Sequence, residues 1–127
     1  MRTGSVGNRS ADDMVRTLVE PKKTVISKVR EKLLSAGFLE EVEYDSINIE
    51  PVLIYSKAER KVVFLKHKWD LVAMIPLRSS SFPNGLEIRG LSKELLKYQI
   101  EDEETNSWLR FSLPNAEPEL FQALDIL

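Results

Sequence analysis

The chain has 127 residues, 43% hydrophobic and 30% charged, with 18 basic against 20 acidic side chains and a net charge of -2. That is one domain's worth of material with ordinary globular composition, and the near-balance of charge excludes a generally basic nucleic-acid coat. With no cysteine and one histidine, disulfides, thiol catalysis, iron–sulfur clusters, thiolate zinc and two-histidine metal centres are excluded as well. No apolar run approaches the length of a membrane span, and the first residues lack the apolar core of a secretory signal. A cytoplasmic protein with no cofactor and no membrane contact is therefore expected.

Residues 1–9 show no apolar period and read as a flexible tail, leaving 10–127 as one α+β domain. Ser10 and Asp13 stand at N-cap and N3 spacing, and Met14, Val15, Leu18 and Val19 follow at helical intervals. A short helix over about 10–20 is predicted from this. Pro21 closes it or opens the next helix. Val25, Ile26, Val29, Leu33 and Leu34 make one apolar stripe, while Lys28, Glu31, Lys32 and Ser35 are polar. Gly37 supplies a left-handed stop, so a helix is predicted over 22–36.

After Gly37 the pattern changes. Phe38, Leu39, Val42 and Tyr44 are mixed with Glu40, Glu41, Glu43 and Asp45, which suits a charge-protected edge strand near 39–44. Val52–Tyr55 is a β-prone run, residues 56–60 read as a hairpin connection, and Lys61–Lys66 as the return strand. His67-Lys68 leads into a further strand over 69–75, which Pro76 ends or places near an edge. An antiparallel meander is expected here. Residues 79–85 form the clearest loop, with Asn84-Gly85 favouring a turn of positive φ. Leu86–Arg89 reads as a short strand ended by Gly90. Ser92 caps a helix over 93–99, with Leu95, Leu96 and Tyr98 facing inward.

Glu101–Glu104 reads as a solvated acidic connector, and Trp108–Leu113 alternates as a strand. Pro118 fits the first turn of a last helix, capped near Asn115 or Glu117, whose Leu120, Phe121, Leu124 and Leu127 share a face. The order predicts an α+β fold: a two-layer domain with a largely antiparallel or mixed sheet, N-terminal helices and a C-terminal helix.

The net charge of -2 conceals four blocks. Residues 1–37 carry eight bases and four acids, 38–60 two and six, 61–78 four and one, and 79–127 four and nine. The plain reading is that these blocks solvate different elements and pair across the surface. The sharper one is a protein interface with complementary charged zones, which steer encounter.

Three groups of residues are candidates for function. His67 with Asp70, joined by Ser80, Ser81 and Asn84 of the loop, would form a ligand-binding or acid–base site if the fold makes a pocket around them; exposed or packing roles are the bland alternative. Arg60, Lys61, Lys66 and Lys68, near Phe64 and Trp69, are the best local basic group for an anionic partner. Met14, Leu18, Trp69 and Trp108 are candidate interface anchors, since tryptophan often dominates an interface; packing is the plainer role for both tryptophans.

No catalytic signature or phosphate-binding fingerprint accompanies them. The leading expectation is a non-enzymatic protein-interaction or accessory domain, with a protein partner or a second copy of the chain. A small-molecule binding protein or enzyme built on His67 and Asp70 is the alternative, and a nucleic-acid module ranks third.

Overall fold

An i, i+3, i+4 apolar stripe buries one side of a helix and nothing else. In the computed structural model, which describes residues 15–44, 51–58, 60–67 and 70–127, that stripe forms α1 (Lys22–Ser35), with Val25, Ile26, Val29 and Leu33 buried. Both ends are satisfied by named groups. At the start, the Glu20 carboxylate accepts from the Thr24 hydroxyl at 2.5 Å and the Thr24 N–H at 2.9 Å. Those two bonds hold the Glu20 carboxyl below its usual pKa. At the end, the Gly37 N–H donates to Leu34 C=O and the Phe38 N–H to Leu33 C=O, a Schellman closure made possible by Gly37 at φ 93°. The Lys57 ammonium adds a bond to the Ala36 carbonyl.

Among the described residues six strands form one sheet, in the order β1-β2-β3-β4-β6-β5. They are β1 (Leu39–Tyr44), β2 (Pro51–Lys57), β3 (Arg60–His67), β4 (Asp70–Pro76), β5 (Gln99–Glu101) and β6 (Ser107–Leu113). Every pairing is antiparallel. β2, β3 and β4 make the expected meander, and β1 extends it at one edge. A loop, a 3-10 turn (Ile88–Gly90) and one helical turn, α2 (Lys93–Leu96), carry the chain from β4 to the far edge. The β5–β6 hairpin then returns to β4, and α3 (Glu117–Leu124) follows.

Alternation along the strands sends one set of side chains towards the helices. Leu53, Phe64, Ala73 and Phe111 form one row across that face. They and their same-face neighbours are buried with Val15 and Leu18, the stripe of α1, Leu95 of α2, and Leu120, Ala123 and Leu124 of α3. The rings of Tyr55 and Phe64 meet edge-on at 5.8 Å. Each large side chain fully buried here contributes about 1.5–3 kcal/mol, which outweighs any surface pair. The exposed Lys28–Glu117 and Lys32–Asp125 contacts that link α1 to α3 contribute about 0–1 kcal/mol each.

One polar group crosses into this layer. Glu40 lies on the helix-facing side of β1, and both its oxygens receive the Arg30 guanidinium, at 2.6 and 3.0 Å. The buried Tyr55 hydroxyl donates to the same carboxylate at 2.6 Å. Burial, then the Glu40 carboxylate, push the Tyr55 hydroxyl well above its usual pKa, so it remains a donor. α1 and the edge of the sheet are thereby joined by a forked ion pair and a tyrosine.

Several elements differ from expectation, each for a local reason. The β2–β3 connection is tighter than residues 56–60, because Lys57 pairs directly with Arg60 and Ala58 takes φ 47° to turn the chain. Leu86–Arg89 is not a strand: Leu86 makes one parallel bridge to Leu77, and 88–90 curls into the 3-10 turn. Ser92 caps as expected, accepting from the Leu95 N–H at 3.2 Å. That helix stops at Leu96, however, and Gln99–Glu101 pairs with β6 instead, so part of the expected acidic connector is strand. Ala116, not Asn115 or Glu117, occupies the N-cap of α3. Gly85 does not need positive φ. A Cβ there would lie 2.6–2.7 Å from the backbone of Leu77 and Arg78, so close chain approach is what requires glycine. The expected tail over 1–9 and the start of the 10–20 helix lie outside the described residues; 15–17 are helical.

Three substitutions test these constraints by urea denaturation. Glu40→Leu, which leaves Arg30 and the Tyr55 hydroxyl without their acceptor, is expected to cost about 1–3 kcal/mol, and Tyr55→Phe less, since the ion pair survives. Gly85→Ala is expected to cost about 1–3 kcal/mol through backbone displacement; a cost near zero would show that the loop can yield.

Candidate interaction surface

The side chains of opposite parity form the second face of the sheet. Val52, Ile54, Val63, Leu65 and Met74 lie on it half-buried, around a fully buried Val72. None of the six belongs to the helix-side core. The buried side chains of all three helices belong to that other core, so no described helix packs on this face.

Register orders the face into rows. In one row Glu41 pairs with Ile54, Ile54 with Val63, Val63 with Met74, and Met74 with Arg110. It therefore reads acid, three apolar residues, base. The next row begins Glu43, Val52 on one side and ends Leu65, Val72, Ser112 on the other. Neither Glu41, Glu43 nor Arg110 enters an ion pair among the described residues. Glu41 and Arg110 stand four strand spacings apart, roughly 19 Å, too far to pair within one chain. Leu39, on the same face of β1 and 67% exposed, interrupts the acidic border with an apolar side chain.

The third row ends under the loop after β4. Pro76 pairs with Trp108, and Phe82 packs edge-on against the Trp108 ring at 4.9 Å. The Trp108 indole N–H donates to Asp102 at 3.1 Å. The other Asp102 oxygen accepts from the Glu104 and Asn106 N–H groups, both at 2.9 Å. The indole bond, then these backbone bonds, hold the Asp102 carboxyl below its usual pKa, against a smaller opposing effect of desolvation. Beside this corner Lys61, Pro76, Ser81, Phe82, Pro83 and Asn84 line a shallow depression of about 350 Å³.

The residues singled out from the sequence are regrouped by this arrangement. His67 and Asp70 are backbone partners across the β3–β4 hairpin. Ser80, Ser81 and Asn84 lie beyond the other end of β4, six strand residues or roughly 20 Å away. The five do not converge. Ser81 and Asn84 instead line the same depression as Lys61. The basic group is also divided. Lys61 shares the parity of Val63, whereas Lys66 pairs with buried Leu71, on the parity of Phe64, and Arg60 pairs with Lys57. Lys68, Trp69 and Met14 lie outside the described residues. Leu18 is part of the helix-side core, and Trp108 is held by Phe82 and Asp102.

Sequence reading missed the row from Glu41 to Arg110. Its signal was present: Val52–Tyr55, Val62–Leu65 and Leu71–Ile75 are continuous apolar runs, the pattern of strands covered on both faces. Alternation with polar residues would have marked a solvated face. Among the described residues no helix is long and apolar enough to cross a membrane. No protein-family model, curated protein or solved structure matches the chain.

The Trp108 clamp has a pH signature. Because the Asp102 pKa is depressed in the folded chain, its stabilising contribution is complete above the ordinary aspartate value, near 3.9. That contribution is lost as pH falls through the lower folded value. Native-state tryptophan emission is expected to change in that acid range, and Asp102→Asn or Trp108→Phe to abolish the change; an identical profile in either variant would refute the clamp.

Proposed function

We propose that this protein is a non-enzymatic protein-interaction or accessory domain, working in the cytoplasm, that docks the face containing Val63 against another protein surface. The surface it fits is an apolar strip bordered by unlike charges. The observation that carries the reading is the pair of facts about β2, β3 and β4: their sequences are apolar on both parities, and among the described residues helices cover only one. Half-buried apolar side chains in contiguous rows, bordered by Glu41, Glu43 and Arg110, match the apolar centre and polar rim of an interface. The alternative ligand site loses support because its five residues lie at two ends of β4.

Photocrosslinking in cells tests this. A benzoylphenylalanine at Val63 or Leu65 is expected to yield discrete protein adducts whose partner peptides are apolar with flanking charge. The same probe at Glu31 on α1 is expected to yield none. No adduct from the Val63 face, or equal adducts from both positions, would overturn the assignment.

A further inference from the structure

We propose that the occupant of this face is a second copy of the chain, in an isologous dimer whose two-fold axis runs parallel to the strands and passes over Val63. The inference rests on the docking reading above and adds the identity and register of the partner.

The argument begins with the row Glu41, Ile54, Val63, Met74, Arg110. Two sheets packed face to face can be related by a two-fold axis across the strands or along them. An axis across the strands lays β1 on β1 of the partner, so an axis through the Val63 row sets Glu41 on its own copy and Arg110 on its own copy. Like charges in such proximity oppose association. An axis along the strands, centred on β3, reverses the strand order instead. β1 of one copy then lies over β6 of the other, and β2 over β4.

Within the row this second arrangement sets Glu41 opposite Arg110, Ile54 opposite Met74, and Val63 opposite Val63. Every position meets a complement, and both ends of the row form the same pair. A C2 interface requires this self-complementarity. The centre of the row is apolar and its two charges, unpaired among the described residues, lie at opposite ends; along the same axis Lys61 meets its own copy, one like-charged contact against the two that an axis across the strands makes at Glu41 and Arg110.

The geometry is that of aligned sheet packing. Such sheets lie about 10 Å apart with strands crossing at roughly 30°. At the row's ends, about 10 Å from the axis, that crossing displaces opposed positions by only about 5 Å. Long arginine and glutamate side chains span such an offset. The apolar side chains span three strands and two rows, and even a patch roughly 20 Å on a side buries only about 800 Å² over both copies, below the range of standard specific interfaces. A concentration-dependent equilibrium is therefore expected, not a permanent dimer.

Charge exchange in the full chain, followed by sedimentation velocity and native mass spectrometry, decides the matter. Wild type is expected to dimerise as concentration rises. Glu41→Arg and Arg110→Glu, placed on the surface and checked for an unchanged circular dichroism spectrum, are each expected to weaken the dimer at least tenfold. Each puts two like-charged pairs into the interface. Mixing the two variants is expected to restore association as a mixed dimer, because all pairs are then unlike. The double variant is expected to dimerise with itself.

A wild type that stays monomeric at every concentration would overturn the proposal, as would single reversals without effect or a mixture that fails to recover. The outcomes also separate this inference from the one beneath it. A monomer whose Val63 probe still captures another protein would leave the docking reading standing and remove only the second copy. A monomer with no adduct, or one crosslinked solely within its own chain, would remove both.

Discussion

Packing of α1 and α3 against the Leu53–Phe64–Ala73–Phe111 side of the sheet is the interaction on which the rest of the architecture depends. Four strands contribute that row through direct pairing, and all four side chains are fully buried. A one-residue slip of any strand would turn its core set to the opposite face. The register of β2, β3 and β4 that buries these four side chains also sets the order of residues on the second face. The placement of Glu41, Ile54, Val63, Met74 and Arg110 in one line is a by-product of packing on the other side.

Polar contacts refine this arrangement at its margins. Arg30, Glu40 and Tyr55 tie α1 to the edge strand. The Glu40 side chain is 9% exposed and that of Arg30 22%, so their forked pair is shielded more than the open pairs between α1 and α3. Glu40 thus points inward with a partner, while Glu41 and Glu43 point the other way, without an ion-pair partner among the described residues. The three acids of β1 look alike in the sequence and perform two different tasks. At the opposite margin, Asp102 and Phe82 hold Trp108, and the loop bearing Phe82 approaches the backbone of Leu77 so closely that Gly85 cannot carry a side chain.

Elements governed by local rules were legible. The stripe and Gly37 stop of α1, the Ser92 cap and the apolar face of α3 each rest on spacing within one turn or two. The α+β class followed from their order. Elements governed by distant partners were not. Gln99–Glu101 has no strand character of its own and becomes one by pairing with β6. Leu86–Arg89 has strand character and fails to use it, since only Leu86 meets a partner. The candidate ligand group failed for a related reason: positions close along the chain were separated by the full length of β4.

The sequence by itself determined the α+β class, the stripe and Gly37 stop of α1, the Ser92 cap, the apolar runs of β2, β3 and β4 and the exclusion of thiol chemistry. These depend on residue type and spacing of a few positions. Tertiary structure alone decided which acid faces inward, which strands are neighbours and that Glu41 and Arg110 terminate the same row. Those properties arise from pairing between residues as far apart as β1 and β6, and strand register is set only when helices bury one face.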